Sequence, residues 1–393
     1  MTLDNDDEYK CKIERRILVS KNVIKDCQLD NGAIVAANAT KDYYPPVAKN
    51  YFYVWPRDAS YACIAADIAG ERDTQEKFLN WCLKRAEGFE ETGLLYEKYH
   101  VNGLKALSRF QPDQTGILLY SIWHHYNNYD YEPPDSIGRL VVNSADGLCD
   151  KWEGDHFNIV TNDLWEERLT FPDLNENFTY SLAACISGLE CANSMYSNDN
   201  WINVSEQMRG QLDKHYLELD SIDTYRLDNN KKEDRRPKGY FVRSYGKIID
   251  KSIDASILGL VYPFNIYEPN DPRVISSIKE IEEKLIIKEG ITKGGVHRYE
   301  FDEYDGWMYE ELHRKKGSGA WPLLNLWLSI YFSMIGDEEK AKVYYDWVLN
   351  QSNDYLPEQI FDNKFQVSVC PLLWSHSMFI IASKFLWKSL SNI

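Results

Sequence analysis

Three carboxylates surround one tryptophan in the stretch TNDLWEERLTF, residues 161–171. Asp163, Glu166 and Glu167 flank Trp165, and on a helix their spacing would place like charges side by side, which is mildly destabilising. One interpretation is a solvated helix end, with Asp163 as the N-cap and both glutamates favoured by the helix dipole. The other is a carboxyl group beside an indole, whose pKa rises through desolvation and neighbouring negative charge until it donates a proton near neutrality.

A second candidate carboxylate is Glu358, in the segment YLPEQIF at residues 355–361. Pro357 stiffens this stretch, so Glu358 does not belong to the interior of a regular helix. A loop glutamate is usually just solvated, and the segment on its own favours no particular chemistry.

A third segment, YFYVWPRDASY at residues 51–61, places four aromatic residues ahead of the pair Arg57 and Asp58. The pair forms a charged hydrogen-bonding fork beside stacking surfaces, which suits a polar ligand with apolar faces. The alternative is an ordinary helix start with Asp58 as the N-cap.

Composition narrows the classes of partner. The chain of 393 residues is 44% hydrophobic and 27% charged, which is typical of a globular protein. Its net charge of -17 disfavours nucleic acid and anionic membranes as partners. Aromatic residues make up 14% of the chain, which indicates either a large core or a cleft in which rings stack on neutral sugars.

The cysteines and the apolar segments carry no sign of metal binding or membrane insertion. The eight cysteines include no CxxC pair and no metal-ligand spacing with the histidines, so we interpret them as reduced core residues. The first 16 residues are acidic and contain no apolar h-region, which makes the cytoplasm the expected location. The most apolar runs, 320–335 and 371–387, are interrupted by polar residues and are expected to be buried helices.

Helical patterns dominate the chain. GILLYSIWHHY (116–126) and FTYSLAACISGLECANSMY (178–196) predict helices, whereas ERRILVS (14–20), GAIVAA (32–37) and GYFVRSY (239–245) are short, isolated strand signals. Two segments, Gly70 to Trp81 and Gly336 to Trp347, weakly resemble each other. Each runs from a glycine through an acidic turn to a tryptophan, which indicates helices arranged in pairs. We therefore expect an all-α fold in one domain over residues 1–393, with the polar interval 228–239 as a surface loop; periodicity does not separate an α/α toroid from a solenoid or a bundle.

Six segments in order resemble the glucoamylase-like enzymes of glycoside hydrolase family 15. They cover residues 51–70, 162–184, 294–306, 319–341, 355–359 and 370–383, and include VWPRDASY, NDLWEER, VHRYE, GAWPLLN and LPEQ. The resemblance implies an (α/α)6 barrel whose active site lies in the loops at one end. It also implies release of glucose from α-glucans with inversion at the anomeric carbon, or in some members cleavage of trehalose or α-1,6-linked glucosides, without a cofactor or a metal.

The resemblance also assigns roles to individual residues. Glu166 matches the general acid and Glu358 the general base, and inversion would require their carboxyl groups to lie roughly 6.5–9.5 Å apart. The remaining matched residues are expected to bind the α-linked glucosaccharide: Arg57, Asp58 and Arg298 its hydroxyl groups, Tyr51, Trp55, Trp165 and Trp321 its faces, and Asp163 and Glu167 the neighbouring sugar while tuning the acid.

Two departures from the family pattern leave the specificity open. The nine residues 169–177 between WEER and FT are a longer insertion than in compact prokaryotic members, which would reshape the rim beside the acid. Prokaryotic members also commonly carry a β-sandwich domain before the barrel, and we expect none here, so a partner chain or a second copy could replace it.

An exo-acting α-glucosidase of the glucoamylase type is the leading hypothesis, and a trehalase of the same family is the second. The others are a sugar-binding barrel without turnover and a phosphorylase using KKGSGAW (315–321) as a phosphate cradle.

Overall fold

The computed structural model describes residues 2–218, 239–306 and 317–387. Helices dominate these ranges, as the sequence predicted. In chain order they are α1 (Thr2–Cys27), α2 (Pro56–Ile68), α3 (Asp73–Arg85), α4 (Phe89–Thr92), α5 (Pro112–Tyr129), α6 (Asp135–Asp150), α7 (Thr179–Met195), α8 (Asp199–Leu212), α9 (Pro272–Lys284), α10 (Pro322–Met334), α11 (Glu338–Leu349) and α12 (Leu373–Leu386).

The strands are short and pair in antiparallel twos. They are β1 (Lys98–Tyr99) with β2 (Lys105–Leu107), β3 (Thr161–Asn162) with β4 (Leu169–Thr170), β5 (Asn177–Phe178) with β8 (Ser244–Tyr245), and β6 (Tyr216–Glu218) with β7 (Gly239–Phe241). In the hairpin β3–β4, Thr161 is opposite Thr170 and Asn162 is opposite Leu169. These short strand pairs connect the loops that link the helices.

Five helices and one 3-10 segment form a closed inner ring. Most residues of α2, α5, α7, α10 and α12 are buried, and so is the whole 3-10 segment Ala255–Leu260. In order around the ring, α2 packs on α5, α5 on α7, α7 on the 3-10 segment, that segment on α10, α10 on α12, and α12 on α2. The ring therefore has six members, of which the fourth is a 3-10 segment.

An outer layer surrounds this ring. α3 packs on α2, α6 on α5 and α7, α8 on α7, α9 on the 3-10 segment, α11 on α10, and α1 on α12. In α9 the buried side chains Val274, Ser277, Ile278 and Ile281 recur at helical spacing, so one face meets the ring and the other meets solvent. The alternation of inner and outer elements confirms the predicted (α/α)6 barrel.

The two similar segments that begin at Gly70 and Gly336 occupy equivalent positions in two pairs of inner and outer helices. Gly70 and Gly336 have φ of +76° and +79°, a left-handed conformation that ends α2 and α10 at little steric cost. After each glycine the chain enters the outer helix that contains Trp81 or Trp347. In both of these units the inner helix is followed along the chain by its outer partner.

Most of the predicted elements are confirmed, and two differ. The segments 116–126 and 178–196 lie in α5 and α7, and the two apolar runs form the buried helices α10 and α12. The strand predicted at 14–20 is wrong, because these residues lie in α1, and the segment 32–37 forms only one isolated bridge, between Ile34 and Gln28. Residues 228–238 of the predicted surface loop lie outside the described ranges.

The cysteines are free, but they are not all in the core. Five of them are buried, whereas Cys191 and Cys370 are half-buried and Cys11 is exposed on α1. The prediction of a reduced core residue is therefore wrong for Cys11.

Two glycines allow α5 and α7 to approach closely. A Cβ atom at Gly116 of α5 would lie 2.5 Å from the carbonyl carbon and oxygen of Ala184, and one at Gly188 of α7 would lie 2.6 Å from the carbonyl oxygen of Gly116. Since the obstacles are backbone atoms, neither position tolerates a larger residue without moving a helix.

We predict that Gly116→Ala lowers the free energy of unfolding by about 1–3 kcal/mol, because the methyl group would push two inner helices apart. The matched control is Gly210→Ala in α8, where a Cβ atom would meet no heavy atom within 4 Å. That substitution should raise the free energy of unfolding by about 0.5–1 kcal/mol, because alanine favours a helix over glycine. Urea denaturation measures both; equal effects would show that the helices are not in close contact.

Candidate active site

A hairpin turn, not a helix, presents Glu166. The segment Asp163–Arg168 connects β3 to β4, and Glu166 has φ of +64°, a conformation that non-glycine residues rarely adopt. The Asp163 Oδ1 atom accepts hydrogen bonds from the backbone N–H groups of Glu167 (2.8 Å) and Arg168 (3.0 Å). Asp163 is therefore not a helix N-cap, and its carboxylate instead closes the turn that carries the glutamate.

A buried charge network holds this turn in place. Arg243 donates a short hydrogen bond to Asp163 Oδ2, and its Nε atom lies 3.3 Å from Asp254. Asp254 also accepts hydrogen bonds of 3.0 and 3.1 Å from the indole N–H of Trp165. All three charged side chains are at most 4% exposed. The network fixes Trp165 and Glu166 together.

The side chains of interest line a cavity of about 280 Å³. This volume is slightly below the range of roughly 300–1,000 Å³ that is typical of small-molecule sites. Ten of the eleven residues predicted for the site line it, and Asp163 does not, because its carboxylate is buried behind the wall. The lining residues are Ala36, Lys49, Tyr51, Trp55, Arg57, Asp58, Lys98, Leu164, Trp165, Glu166, Glu167, Arg298, Tyr304, Trp321, Glu358, Leu372 and Trp374.

Two tryptophans reach the cavity from the starts of inner helices. Trp55 and Trp321 each precede a proline that is the first residue of a helix, α2 and α10 respectively. Proline suits this position because it needs no N–H partner there. The helix beginnings therefore face the cavity, and they place indole rings on its wall.

Glu166 is held in an environment that favours its protonated form. The Trp55 indole N–H donates a hydrogen bond of 2.5 Å to Oε1, and the nearest atoms of Arg57 and Lys98 both lie 3.8 Å from the carboxyl group. Burial, followed by the negative charge of Glu97, raises the pKa of Glu166 to about 8, against the lowering effect of the two cations. A carboxyl group in this state can donate a proton at neutral pH.

Glu358 comes from the loop between α11 and α12. Its backbone N–H donates to the carbonyl of Val369, and its Oε1 atom accepts a hydrogen bond of 2.8 Å from Tyr51. Its Oε2 atom is buried and has no hydrogen-bond partner within the described residues. Burial raises the pKa of Glu358 to about 7, while Tyr51, Arg298 and Lys49 act to lower it. This carboxyl group loses its proton more readily than Glu166 does.

The pair Arg57 and Asp58 lies in the first turn of α2. The Arg57 guanidinium donates to Asp58 (3.1 Å) and to the carbonyl of Leu164 (3.2 Å), and it lies 3.5 Å from the buried Asp113 of α5. Burial raises the pKa of Asp58. Asp58 does not cap the helix, since the N-cap position is Trp55. The fork is thus rigid before any ligand arrives.

Arg298 forms a second rigid fork. It donates hydrogen bonds of 2.7 and 2.8 Å to the two carboxylate oxygens of Asp302 and one of 2.6 Å to Glu167. Its guanidinium also lies 5.2 Å from the ring centre of Trp165 and 4.9 Å from that of Trp321. Glu167 is tied on its other oxygen by the hydroxyl of Tyr299, so the side chain is oriented and not free to swing.

Four lining residues that could contact a ligand were not predicted: Lys49, Lys98, Tyr304 and Trp374. Tyr304 and Trp374 lie within segments that carried the family resemblance, so a fuller alignment of those segments would have found them. The two lysines lie in stretches with no recognisable pattern. The inserted residues 169–177 form β4, a 3-10 turn and β5, and none of them lines the cavity in the part of the chain that the structure describes.

Comparison with known proteins decides the family. A profile described as Glycosyl hydrolases family 15 matches residues 15–384. The chain belongs to this family. It is 30% identical to a glycosyl hydrolase of Methanocaldococcus jannaschii over 94% of this chain and 55% of the relative. It is 26% identical to the isomaltose glucohydrolase of Kribbella flavida over 84% of this chain and 83% of that protein.

Solved structures agree with the fold. A glycosidase variant in complex with glucose superimposes with a TM-score of 0.73 at 20% identity, covering 95% of this chain and 97% of that one. At this identity the likeness concerns the fold. The chain spans about half the length of the Methanocaldococcus relative, so activities and substrates of the whole relatives are considered below as proposals.

Residues 2–218, 239–306 and 317–387 contain neither a candidate metal site nor a membrane-spanning helix. No group of three or more His, Cys, Asp or Glu side chains there is arranged to hold a metal ion. No helix in these ranges has the length and apolar content needed to cross a bilayer.

We predict that Arg243→Met lowers the free energy of unfolding by about 3–5 kcal/mol, because it leaves Asp163 and Asp254 buried without their cation. Arg168→Gln, on the same hairpin, is the control: Arg168 pairs with Asp250 at 2.8 Å, but its side chain is 46% exposed. Its removal should cost less than about 1 kcal/mol. Comparable losses in urea denaturation would mean that the buried network does not hold the turn.

Proposed function

We propose that this protein is an inverting, exo-acting α-glucoside hydrolase that releases β-glucose from the non-reducing ends of short maltooligosaccharides or related α-glucans. The observation that carries the proposal is the pair Glu166 and Glu358. Both line one small cavity, and they differ in protonation tendency in the sense that an acid and a base require.

Glu166 acts as the general acid. It transfers its proton to the glycosidic oxygen as the bond from that oxygen to the anomeric carbon breaks, and its pKa of about 8 keeps it protonated at neutral pH. The indole N–H of Trp55 stabilises the carboxylate that remains. The leaving sugar departs with the transferred proton.

Glu358 acts as the general base. Its hydrogen bond from Tyr51 fixes one oxygen, and the other oxygen is available to hold a water molecule. That water attacks the anomeric carbon from the face opposite to the leaving group and gives its proton to Glu358. A single displacement of this kind inverts the configuration at the anomeric carbon, so an α-glucoside yields β-glucose.

The rest of the cavity suits one terminal glucosyl unit. The forks of Arg57 with Asp58 and of Arg298 with Glu167 provide charged groups for hydroxyls, and the tryptophan rings provide faces for the C–H surface. The small volume favours a single sugar at the reacting position, hence cleavage from a chain end. Because the forks are already fixed by buried partners, little ordering accompanies binding.

The proposal also concerns which glycosidic linkage between the two sugars is cleaved. The similarity to an isomaltose glucohydrolase over most of both chains supports α-1,6-linked glucosides as a second substrate class. A barrel that only binds sugar is disfavoured by the presence of both glutamates. A phosphorylase would use the cradle at 315–321, of which Lys315 and Lys316 lie outside the described residues.

The deciding experiment measures glucose release from maltose, maltotriose, isomaltose, trehalose and soluble starch, with the anomer of the product followed by NMR. We expect β-glucose from maltooligosaccharides, isomaltose or both. Release from trehalose alone would replace the proposal by a trehalase, and α-glucose as first product would contradict inversion. Tight sugar binding without release from any substrate would indicate a binding protein.

We predict that Glu166→Gln and Glu358→Gln each reduce kcat by about 10²–10⁴-fold, the usual contribution of a positioned acid or base, while the thermal midpoint changes little. Glu303→Gln provides a control, because Glu303 is an exposed glutamate next to the Arg298 segment. It should keep wild-type turnover. Near-wild-type turnover in either of the first two variants would remove the role assigned to that glutamate.

A further inference from the structure

The two reacting carboxyl groups have similar numbers of cations around them. Arg57 and Lys98 lie close to Glu166, and Arg298 and Lys49 act on Glu358. Glu166 accepts a hydrogen bond from Trp55 and Glu358 accepts one from Tyr51, and the Tyr304 hydroxyl also acts to lower the pKa of Glu358. The number of nearby cations therefore does not distinguish the two carboxyl groups.

A second buried carboxyl group lies near Glu166: that of Glu97, which is 1% exposed and immediately precedes β1. The Lys98 Nζ atom lies 3.5 Å from Glu97 Oε1 and 3.8 Å from Glu166 Oε2, so one ammonium group is shared by two carboxyl groups. Asn162, in strand β3 of the hairpin that presents Glu166, donates a hydrogen bond of 2.9 Å to Glu97 Oε2. Glu97 is thus fixed to both the lysine and the hairpin.

A charge count shows what this arrangement does. One lysine neutralises one carboxylate, so the group of Glu97, Lys98 and Glu166 is neutral when it holds a single carboxyl proton. A second ionisation would place two like charges together in a poorly solvated site. Glu97 has the nearer lysine contact and also accepts the hydrogen bond from the Asn162 amide, whereas the same ammonium group lies farther from Glu166. The proton is left to Glu166.

We propose that Glu97 is a positioning residue that keeps the proton on Glu166 and so determines which of the two cavity glutamates is the acid. Glu97 does not line the cavity, and it acts through Glu166 without touching substrate. This inference rests on the function proposed above, in which Glu166 is the proton donor.

Other groups face Glu166 and stay unchanged in the test. They are Arg57 in α2, Tyr51 before α2, and Tyr304 in the loop after Arg298, each of which interacts electrostatically with Glu166. Since Glu97→Gln alters none of them, a change in the titration of Glu166 reports the charge of Glu97. The glutamine can still accept the hydrogen bond from Asn162, so the variant is nearly isosteric.

We predict a bell-shaped dependence of kcat/KM on pH in the wild-type protein. Activity falls below about pH 7, where Glu358 becomes protonated, and above about pH 8, where Glu166 loses its proton. Glu97→Gln should move the alkaline limb down by about one pH unit, because removing a neighbouring negative charge favours the Glu166 anion. The acid limb should stay in place, and Lys98→Gln should move the alkaline limb in the opposite direction.

The control is Arg109→Gln, since Arg109 contacts Glu97 from a side chain that is 51% exposed. It should shift neither limb measurably. A Glu97→Gln variant with reduced kcat/KM and an unmoved alkaline limb would overturn the inference and reduce Glu97 to a structural residue, while leaving the proposed hydrolysis intact.

A second readout needs no turnover. Protonated carboxyl groups give an infrared band, and the difference between the wild-type protein and Glu166→Gln isolates the contribution of Glu166. The pH midpoint of this difference band is the titration of Glu166. When both proteins also carry Glu97→Gln, the midpoint of the difference band should lie about one pH unit lower. An unchanged midpoint would contradict the inference even if no substrate were found. If the midpoint shifts while Glu166→Gln still hydrolyses glucosides, the proposed function fails and the electrostatic role of Glu97 stands.

Discussion

The buried ion pair between Arg243 and Asp163 is the interaction on which the rest of the site depends. Asp163 uses one carboxylate oxygen to close the turn after β3 and the other to accept from Arg243, which in turn reaches Asp254 and, through it, Trp165. Glu166 lies within this turn in a left-handed conformation that the chain would not adopt unaided. The free energy for holding it there comes from groups that never meet the ligand, and a buried pair of this kind contributes more to geometry than to net stability.

Buried ion pairs also fix the two arginines that line the cavity. Arg57 is held by Asp58 and Asp113, and Arg298 by Asp302 and Glu167, so neither guanidinium presents an unbalanced charge to a ligand. A neutral polyhydroxyl compound profits from such fixed dipoles, whereas an anion would find the positive charge already satisfied. The acidic surface of the protein, with a net charge of -17, points in the same direction. The aromatic rings that line the same cavity add apolar faces beside these polar groups.

The sequence predicted the parts of this structure that are local. Helical periodicity predicted α5, α7, α10 and α12, whereas the roles expected for Glu166 and Glu358 came from the family resemblance of NDLWEER and LPEQ. A helix end with Asp163 as the N-cap was one of two interpretations that the sequence left open, because a carboxylate that caps a helix and one that closes a hairpin turn have similar sequence patterns. Arg243, Asp254 and Glu97 could not be found at all, since their importance lies in which buried partner they meet after folding. The two lysines of the cavity escaped notice for the same reason.

The ring closes between the first and the last of its helices. α12 packs on α2 and on α1, and α1 is also tied by hydrogen bonds from Arg16 to the carbonyls of Leu349 and Gln351. The loop that carries Glu358 lies just before α12, far along the chain from the hairpin that carries Glu166. A ribosome-bound nascent chain therefore contains Glu166 long before it contains Glu358, and it cannot assemble the cavity until α12 has emerged. The cavity would then be complete only after α12 has left the ribosome and the barrel is sealed.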